Sequence, residues 1–121
     1  MKPVLVVEDE ETCREWLESK LISHGFDVKT TETAESTLPL LEQEKFSILM
    51  TDMQLPQMHG LELIKIAKKK QPQLPIIAMS SIIERYSVEL DYIGVDAYFE
   101  KPVDIERLFA QIEQIFSRSC E

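Results

Sequence analysis

Five short apolar runs divide the chain, each followed by a polar break and then by apolar residues at helical spacing. Val4-Leu5-Val6-Val7 is continuous and mostly β-branched, the make-up of a central parallel strand covered on both faces. It ends in Glu8-Asp9-Glu10. Cys13, Leu17 and Leu21 then mark a helix that stops at Gly25, with Trp16 and Ile22 flanking its apolar stripe. Val28 to Thr31 alternates and is polar, as an edge strand is. Thr33 is positioned to cap a second helix through Ala34, Leu38 and Leu41. Pro39 removes a hydrogen bond from a helix interior at a cost of roughly 3 kcal/mol. This predicts either a kinked helix or one that starts late, with Pro39 in its first turn.

Phe46 to Met50 is the third apolar run, and Asp52 stands where that strand should run out. Pro56 and Gly60 break the chain before a helix that begins at Gly60 or Leu61. Its apolar side is Leu61, Ile64 and Ala67, and it closes on Lys68-Lys69-Lys70, a solvated last turn that suits the helix dipole. Pro75 to Met79 predicts the fourth strand, ending in Ser80-Ser81. A weaker, more polar helix covers roughly Ile83 to Tyr92, stopped by Gly94, and Ala97 to Phe99 is a short fifth strand before Glu100-Lys101-Pro102. In the last helix Ile105, Leu108, Phe109, Ile112, Ile115 and Phe116 recur at helical spacing behind an Asp104 cap. Strict alternation of strand and helix predicts an α/β fold, a doubly wound five-stranded parallel sheet of order 2-1-3-4-5 with five helices, in a single domain spanning 1–121.

Composition narrows the partners. With 13 basic against 22 acidic side chains, the formal net charge of -9 disfavours direct nucleic-acid binding and fits poorly with an anionic membrane surface. Cys13 and Cys120 have no metal-like spacing and are too few for a disulfide framework, which suits a reduced, cytoplasmic setting. Cys13 reads as core filler, Cys120 as part of a frayed tail, and His24 and His59 as ordinary loop residues. No apolar run is long enough to be a signal peptide core or a membrane span.

The chemistry gathers at the C-terminal ends of the strands. In the 2-1-3-4-5 order the first and third strands are neighbours at the topological switch point, so Glu8, Asp9 and Asp52 crowd together. Carboxylates that close need compensation, and a hard divalent cation such as Mg2+ supplies it. A carboxylate can also attack phosphorus and form an acyl phosphate. Such a transfer needs a cation on the phosphoryl oxygens and a hydroxyl donor, which Lys101 and Ser80 offer.

The motifs V-L-V-V-E-D-E (Val4 to Glu10), T-D-M-Q-L-P-Q-M-H-G (Thr51 to Gly60), P-I-I-A-M-S-S (Pro75 to Ser81) and Y-F-E-K-P (Tyr98 to Pro102) carry a resemblance to the response-regulator receiver domains of two-component signalling, with their chemotaxis-regulator-like fold. The resemblance covers essentially the whole chain. It implies an acid pair at Glu8 and Asp9 and a phosphoacceptor at Asp52. It also implies a backbone-carbonyl metal ligand at Gln54, a switch hydroxyl at Ser80, a switch aromatic at Tyr98 and a phosphate-pairing lysine at Lys101. Mg2+ is the implied cofactor, held by Asp9, Asp52 and the Gln54 carbonyl, with Glu8 acting through water. The implied phosphodonor is a sensor histidine kinase or a histidine phosphotransfer protein, docking near Thr12, Glu15 and Trp16. The implied output is a change in the face of helix four, strand five and helix five that controls a partner, and a cis bond is implied before Pro102. No effector domain is visible in the chain, and the domain is no enzyme beyond its own phosphorylation and dephosphorylation.

Some positions depart from the family pattern. Ser80 is followed by a second serine, so Ser81 competes for the switch role. Ile82 is apolar where many relatives are polar, His59 replaces a small or acidic residue, and the segment to Gly94 is short. Two alternatives compete with the switch. One is a binding module that signals without phosphorylation, disfavoured by the intact Glu8, Asp9, Asp52 and Lys101. The other is a Mg2+-dependent phosphatase, disfavoured because Asp52-Met53-Gln54 lacks a second acid to protonate a leaving group.

Overall fold

The computed structural model describes residues 2–119. The elements run β1 (Val4–Val7), α1 (Glu11–Ser23), β2 (Val28–Thr31), α2 (Ala34–Gln43), β3 (Ile48–Asp52), α3 (Gly60–Lys70) and β4 (Ile76–Ser80). A 3-10 turn (Ile83–Tyr86) then leads into α4 (Ser87–Ile93), β5 (Ala97–Glu100) and α5 (Ile105–Ser119). The strands form one parallel sheet of order β2-β1-β3-β4-β5, as predicted.

Successive strand side chains point to opposite faces, and both faces are covered. Leu5, Val7, Leu49, Ile76 and Ala78 pack against Leu41 of α2, Leu63, Ile64 and Ala67 of α3 and Leu90 of α4. Val4, Val6, Ile48, Met50, Ile77 and Met79 pack against Leu17 and Leu21 of α1 and Leu108, Ile112 and Ile115 of α5. This two-sided burial explains why the central strands read as unbroken apolar runs. β2, at the edge, keeps the polar pattern of Val28 to Thr31.

Several boundaries differ from the sequence reading. β3 starts at Ile48 rather than Phe46 and continues through Asp52, because Thr51 and Asp52 still pair with Ala78 and Met79. Backbone pairing does not require apolar side chains, so the strand outlasts its apolar run. β4 likewise includes Ser80, and β5 reaches Glu100. The single helix expected over Ile83 to Tyr92 is a 3-10 turn followed by a short α-helix, stopped as predicted by Gly94 in the left-handed conformation (φ 85°). α2 begins at Ala34, its N-terminus capped by the Thr33 hydroxyl 3.0 Å from the Ser36 amide, so the late-start alternative for Pro39 is excluded. On α3 the buried stripe is Leu63, Ile64 and Ala67, whereas Leu61 is half-buried. Asp104 caps α5 as expected, accepting from the amides of Glu106 (3.1 Å) and Arg107 (3.3 Å). Cys120 lies outside the described residues.

Candidate functional site

The register puts the acidic residues together. Val7 pairs with Thr51, so the residues following them, Glu8 and Asp52, emerge side by side at the C-terminal end of the sheet. Both are buried, and Asp9 beside them is exposed. One carboxylate oxygen from each of Glu8, Asp9 and Asp52 lies within 4.8 Å of the others. Lys101 follows β5, and its amide donates to the Ser80 carbonyl at 2.9 Å. Its ammonium donates to Asp52 Oδ2 at 2.9 Å and also to Glu8 Oε1. The Lys101-Pro102 bond is cis.

The electrostatics follow from burial and crowding. Burial pushes the Glu8 carboxyl up from its ordinary value; Lys101 opposes this, and the neighbouring Asp52 adds to it. Burial alone would lower the Lys101 ammonium, but its hydrogen bonds to Glu8 and Asp52 outweigh that and hold it above the usual lysine range. The Cys13 thiol, desolvated and hydrogen-bonded to Glu8, is pushed up to about 12.

Around this centre the loops are tightly tied. The Gln54 amide donates to Asp52 Oδ1 at 3.0 Å. Gly60 sits so close beneath β3 that a Cβ there would lie 2.3 Å from the Asp52 carbonyl oxygen. Glycine is therefore required for α3 to start where it does. His59 is not an ordinary loop residue: its Nδ1 accepts the Leu61 amide at 3.1 Å and caps α3, while its ring lies 5.0 Å from that of Tyr86. No sequence signal marked it, because histidine is not among the favoured caps. Ser80 is buried, its hydroxyl accepting the Ile82 amide at 3.0 Å. Ser81 is exposed, and its hydroxyl donates to Gln54 Oε1 at 3.4 Å. Tyr98 is half-buried on β5, and a hydrogen bond to Asp91 of α4 raises its phenol above the ordinary value. Trp16, 39% exposed, lines a groove of about 290 Å³ with Cys13, Lys101, Pro102 and Val103.

The donor set fits a hard cation. Three carboxylates gather within 4.8 Å of one another and one lysine pairs with only two of them, Glu8 and Asp52, leaving excess negative charge in a partly desolvated place where all the side-chain donors are oxygens. Residues that offer ligands are Glu8, Asp9 and Asp52. The Gln54 carbonyl lies two positions past Asp52, on the loop that the Gln54 amide ties to that side chain. The sequence reading passed over Arg14, whose guanidinium reaches the backbone of the acid pair. Only the folded chain reveals it, since a side chain bonded to carbonyls leaves no mark in residue type.

Comparison with known proteins is consistent across sequence and structure. Residues 4–113 match the family model described as the response regulator receiver domain. The response regulator ArlR of Staphylococcus aureus is 32% identical over 120 residues, covering 98% of this chain and 54% of that protein. The chain thus spans about half the length of the curated relatives it matches. A CheY-like receiver domain protein from Methanospirillum hungatei superimposes with a TM-score of 0.87 at 28% identity, covering 98% of each chain. The response regulator TrrA of Thermotoga maritima, solved in complex with Mg2+ and BeF, gives a TM-score of 0.87 at 27% identity, over 95% of this chain and 99% of that one.

Proposed function

The chain belongs to the family of response regulator receiver domains, and from that membership we propose that it is a phosphorylation-driven switch whose phosphoacceptor is Asp52. The donor is a phosphohistidine on a sensor histidine kinase or a histidine phosphotransfer protein, which docks around Thr12, Glu15 and Trp16. An Asp52 carboxylate oxygen attacks the phosphorus in line. The P–N bond breaks, and the imidazole nitrogen leaves with the bonding electron pair and takes up a proton. The product is an acyl phosphate on Asp52. Asp9, Asp52 and the Gln54 carbonyl, with Glu8 acting through water, would hold Mg2+, which when bound would supply charge neutralisation for the phosphoryl oxygens.

Lys101 shifts its pairing from the Asp52 carboxylate to a phosphoryl oxygen. The Ser80 hydroxyl gives up the Ile82 amide and donates to the phosphoryl group; Ser81, exposed and engaged with Gln54, is the weaker candidate. Tyr98 releases Asp91 and turns inward. The face of α4, β5 and α5 then repacks, a population shift driven by new charge, and an output partner reads that face. The whole 1–121 segment acts as one receiver unit in this reading.

The observation that carries the proposal is the Lys101 ammonium bridging Asp52 and Glu8 from residues 49 and 93 positions away in the chain. Such a bridge poises a cation beside the reacting carboxylate. The test is intact-protein mass after incubation with Mg2+ and acetyl phosphate. One acid-labile phosphoryl group is expected, and none in Asp52→Asn. Equal labelling of Asp52→Asn, or no labelling of the native chain, overturns the reading.

A further inference from the structure

We infer that Arg14 is a positioning residue for the acid pair, setting the direction in which Asp9 presents its carboxylate to a bound cation; the inference rests on the metal-binding reading above. Arg14 lies in the first turns of α1, with its side chain only 12% exposed. Its Nη1 donates to the carbonyl oxygen of Glu8 at 2.9 Å and to that of Asp9 at 3.3 Å. The Glu8 carbonyl belongs to the peptide plane before the Asp9 Cα, and the Asp9 carbonyl to the plane after it. Peptide units are rigid, so tying down both planes fixes φ and ψ of Asp9 and with them its Cα–Cβ direction.

Asp9 needs this support. Asp52 and Glu8 are buried and held by Lys101, but the Asp9 side chain is exposed and, among the described residues, has no hydrogen-bond or ion-pair partner of its own. Its carboxylate nevertheless lies within the same 4.8 Å cluster. The backbone is therefore what places it. Two further contacts hold the strand end: the Glu8 amide donates to the Thr31 carbonyl at 3.0 Å, and the Glu10 amide to Glu8 Oε2 at 3.3 Å. The Glu8 amide lies outside both planes and the Glu10 amide belongs only to the second, so of these contacts Arg14 alone reaches the plane on each side of the Asp9 Cα.

The guanidinium also brings a positive charge close to a cation site, which would by itself oppose binding. Glu32, just past β2, offsets that charge: its carboxylate lies 3.1 Å from Arg14 Nη2. The planar fork lets one side chain bond the carbonyls with one nitrogen and Glu32 with the other, which a lysine ammonium of similar reach does less well.

The experiment is calorimetric titration of Mg2+ into the native chain, Arg14→Ala, Arg14→Lys and Asp9→Asn, each well below its own melting temperature. Arg14→Ala is expected to bind Mg2+ about tenfold more weakly, as removal of groups that orient metal ligands commonly does. Arg14→Lys should recover part of the affinity. A purely structural role would lower the melting temperature of the cation-free protein and leave the affinity of the folded fraction unchanged. Affinities of Arg14→Ala and Arg14→Lys within twofold of the native chain, with Asp9→Asn impaired, overturn the inference alone. Absence of saturable binding by the native chain overturns the metal reading and this inference with it.

Discussion

Single side chains carry the sharpest consequences. Gly60 has backbone where a Cβ would go, with the Asp52 carbonyl 2.3 Å and the Met53 Cα 2.7 Å away. Flexible side chains could yield, but these atoms belong to the strand that presents the candidate phosphoacceptor. Gly60→Ala should therefore cost at least about 1–3 kcal/mol, as overpacking of a well-filled site does, and should slow acetyl phosphate labelling as Asp52 shifts. Urea denaturation and the mass assay check the two parts. Cys13 gives a second residue-scale prediction. Its thiol is held up to about 12, so it stays protonated through neutral pH, and the thiolate is the reactive form. In a Cys120→Ser background, alkylation at mildly alkaline pH should run on the order of a hundredfold slower than for an unperturbed thiol. An ordinary rate would show that Glu8 and the burial around Cys13 do not act on it as described.

At the level of elements, the contrast lies between helix positions turned to the sheet and helix positions turned to solvent. Leu63 of α3 and Ile112 of α5 are fully buried, each against a different face of the sheet. Truncation of either to alanine should cost about 2–5 kcal/mol. Val88 and Tyr92 of α4 are 77% and 92% exposed, and their truncation should stay within about 0.5 kcal/mol. Denaturant midpoints separate the two classes. α4 is tied to β5 through the Tyr98–Asp91 hydrogen bond, which raises the Tyr98 phenol. The neutral phenol is the form the fold favours. The contact is thus fully present below the ordinary tyrosine value and is lost as pH rises through the raised one. Asp91→Asn should bring the Tyr98 titration, followed by NMR, back toward the ordinary value and loosen α4 from β5. An unmoved titration would remove Asp91 as the cause. Pro39 teaches a different lesson at this scale. Local chemistry left a kinked helix or a late start open, but Ala34, Thr37 and Leu41 are buried on α2, and their packing holds a helix that begins at Ala34 together around the proline.

For the molecule as a whole, the acid cluster is a cost that folding accepts and a ligand can relieve. Mg2+ binding to the folded state alone should stabilise the chain by about 2.7 kcal/mol at a hundred times the dissociation constant. The melting temperature should therefore climb with Mg2+ in the native chain and stay flat in Asp9→Asn/Asp52→Asn. A similar rise in that double variant would point to general screening of the net charge of -9.

What the chain's own pattern determined was the order of elements, the 2-1-3-4-5 sheet and the convergence of Glu8, Asp9, Asp52 and Lys101. These follow because unbroken apolar runs demand a sheet covered on both faces, and a doubly wound sheet leaves few places for polar strand ends to meet. Tertiary structure alone decided where β3 and β4 stop, that His59 caps α3, that Ser80 is buried while Ser81 is exposed, and that Arg14 holds the carbonyls of the acid pair. The strand ends depend on backbone partners across the fold, while the His59, Ser80 and Arg14 contacts are close in sequence and depend on the loop paths that packing sets. A residue's type says what its side chain prefers, whereas which carbonyl or amide lies within reach is settled only when distant segments pack.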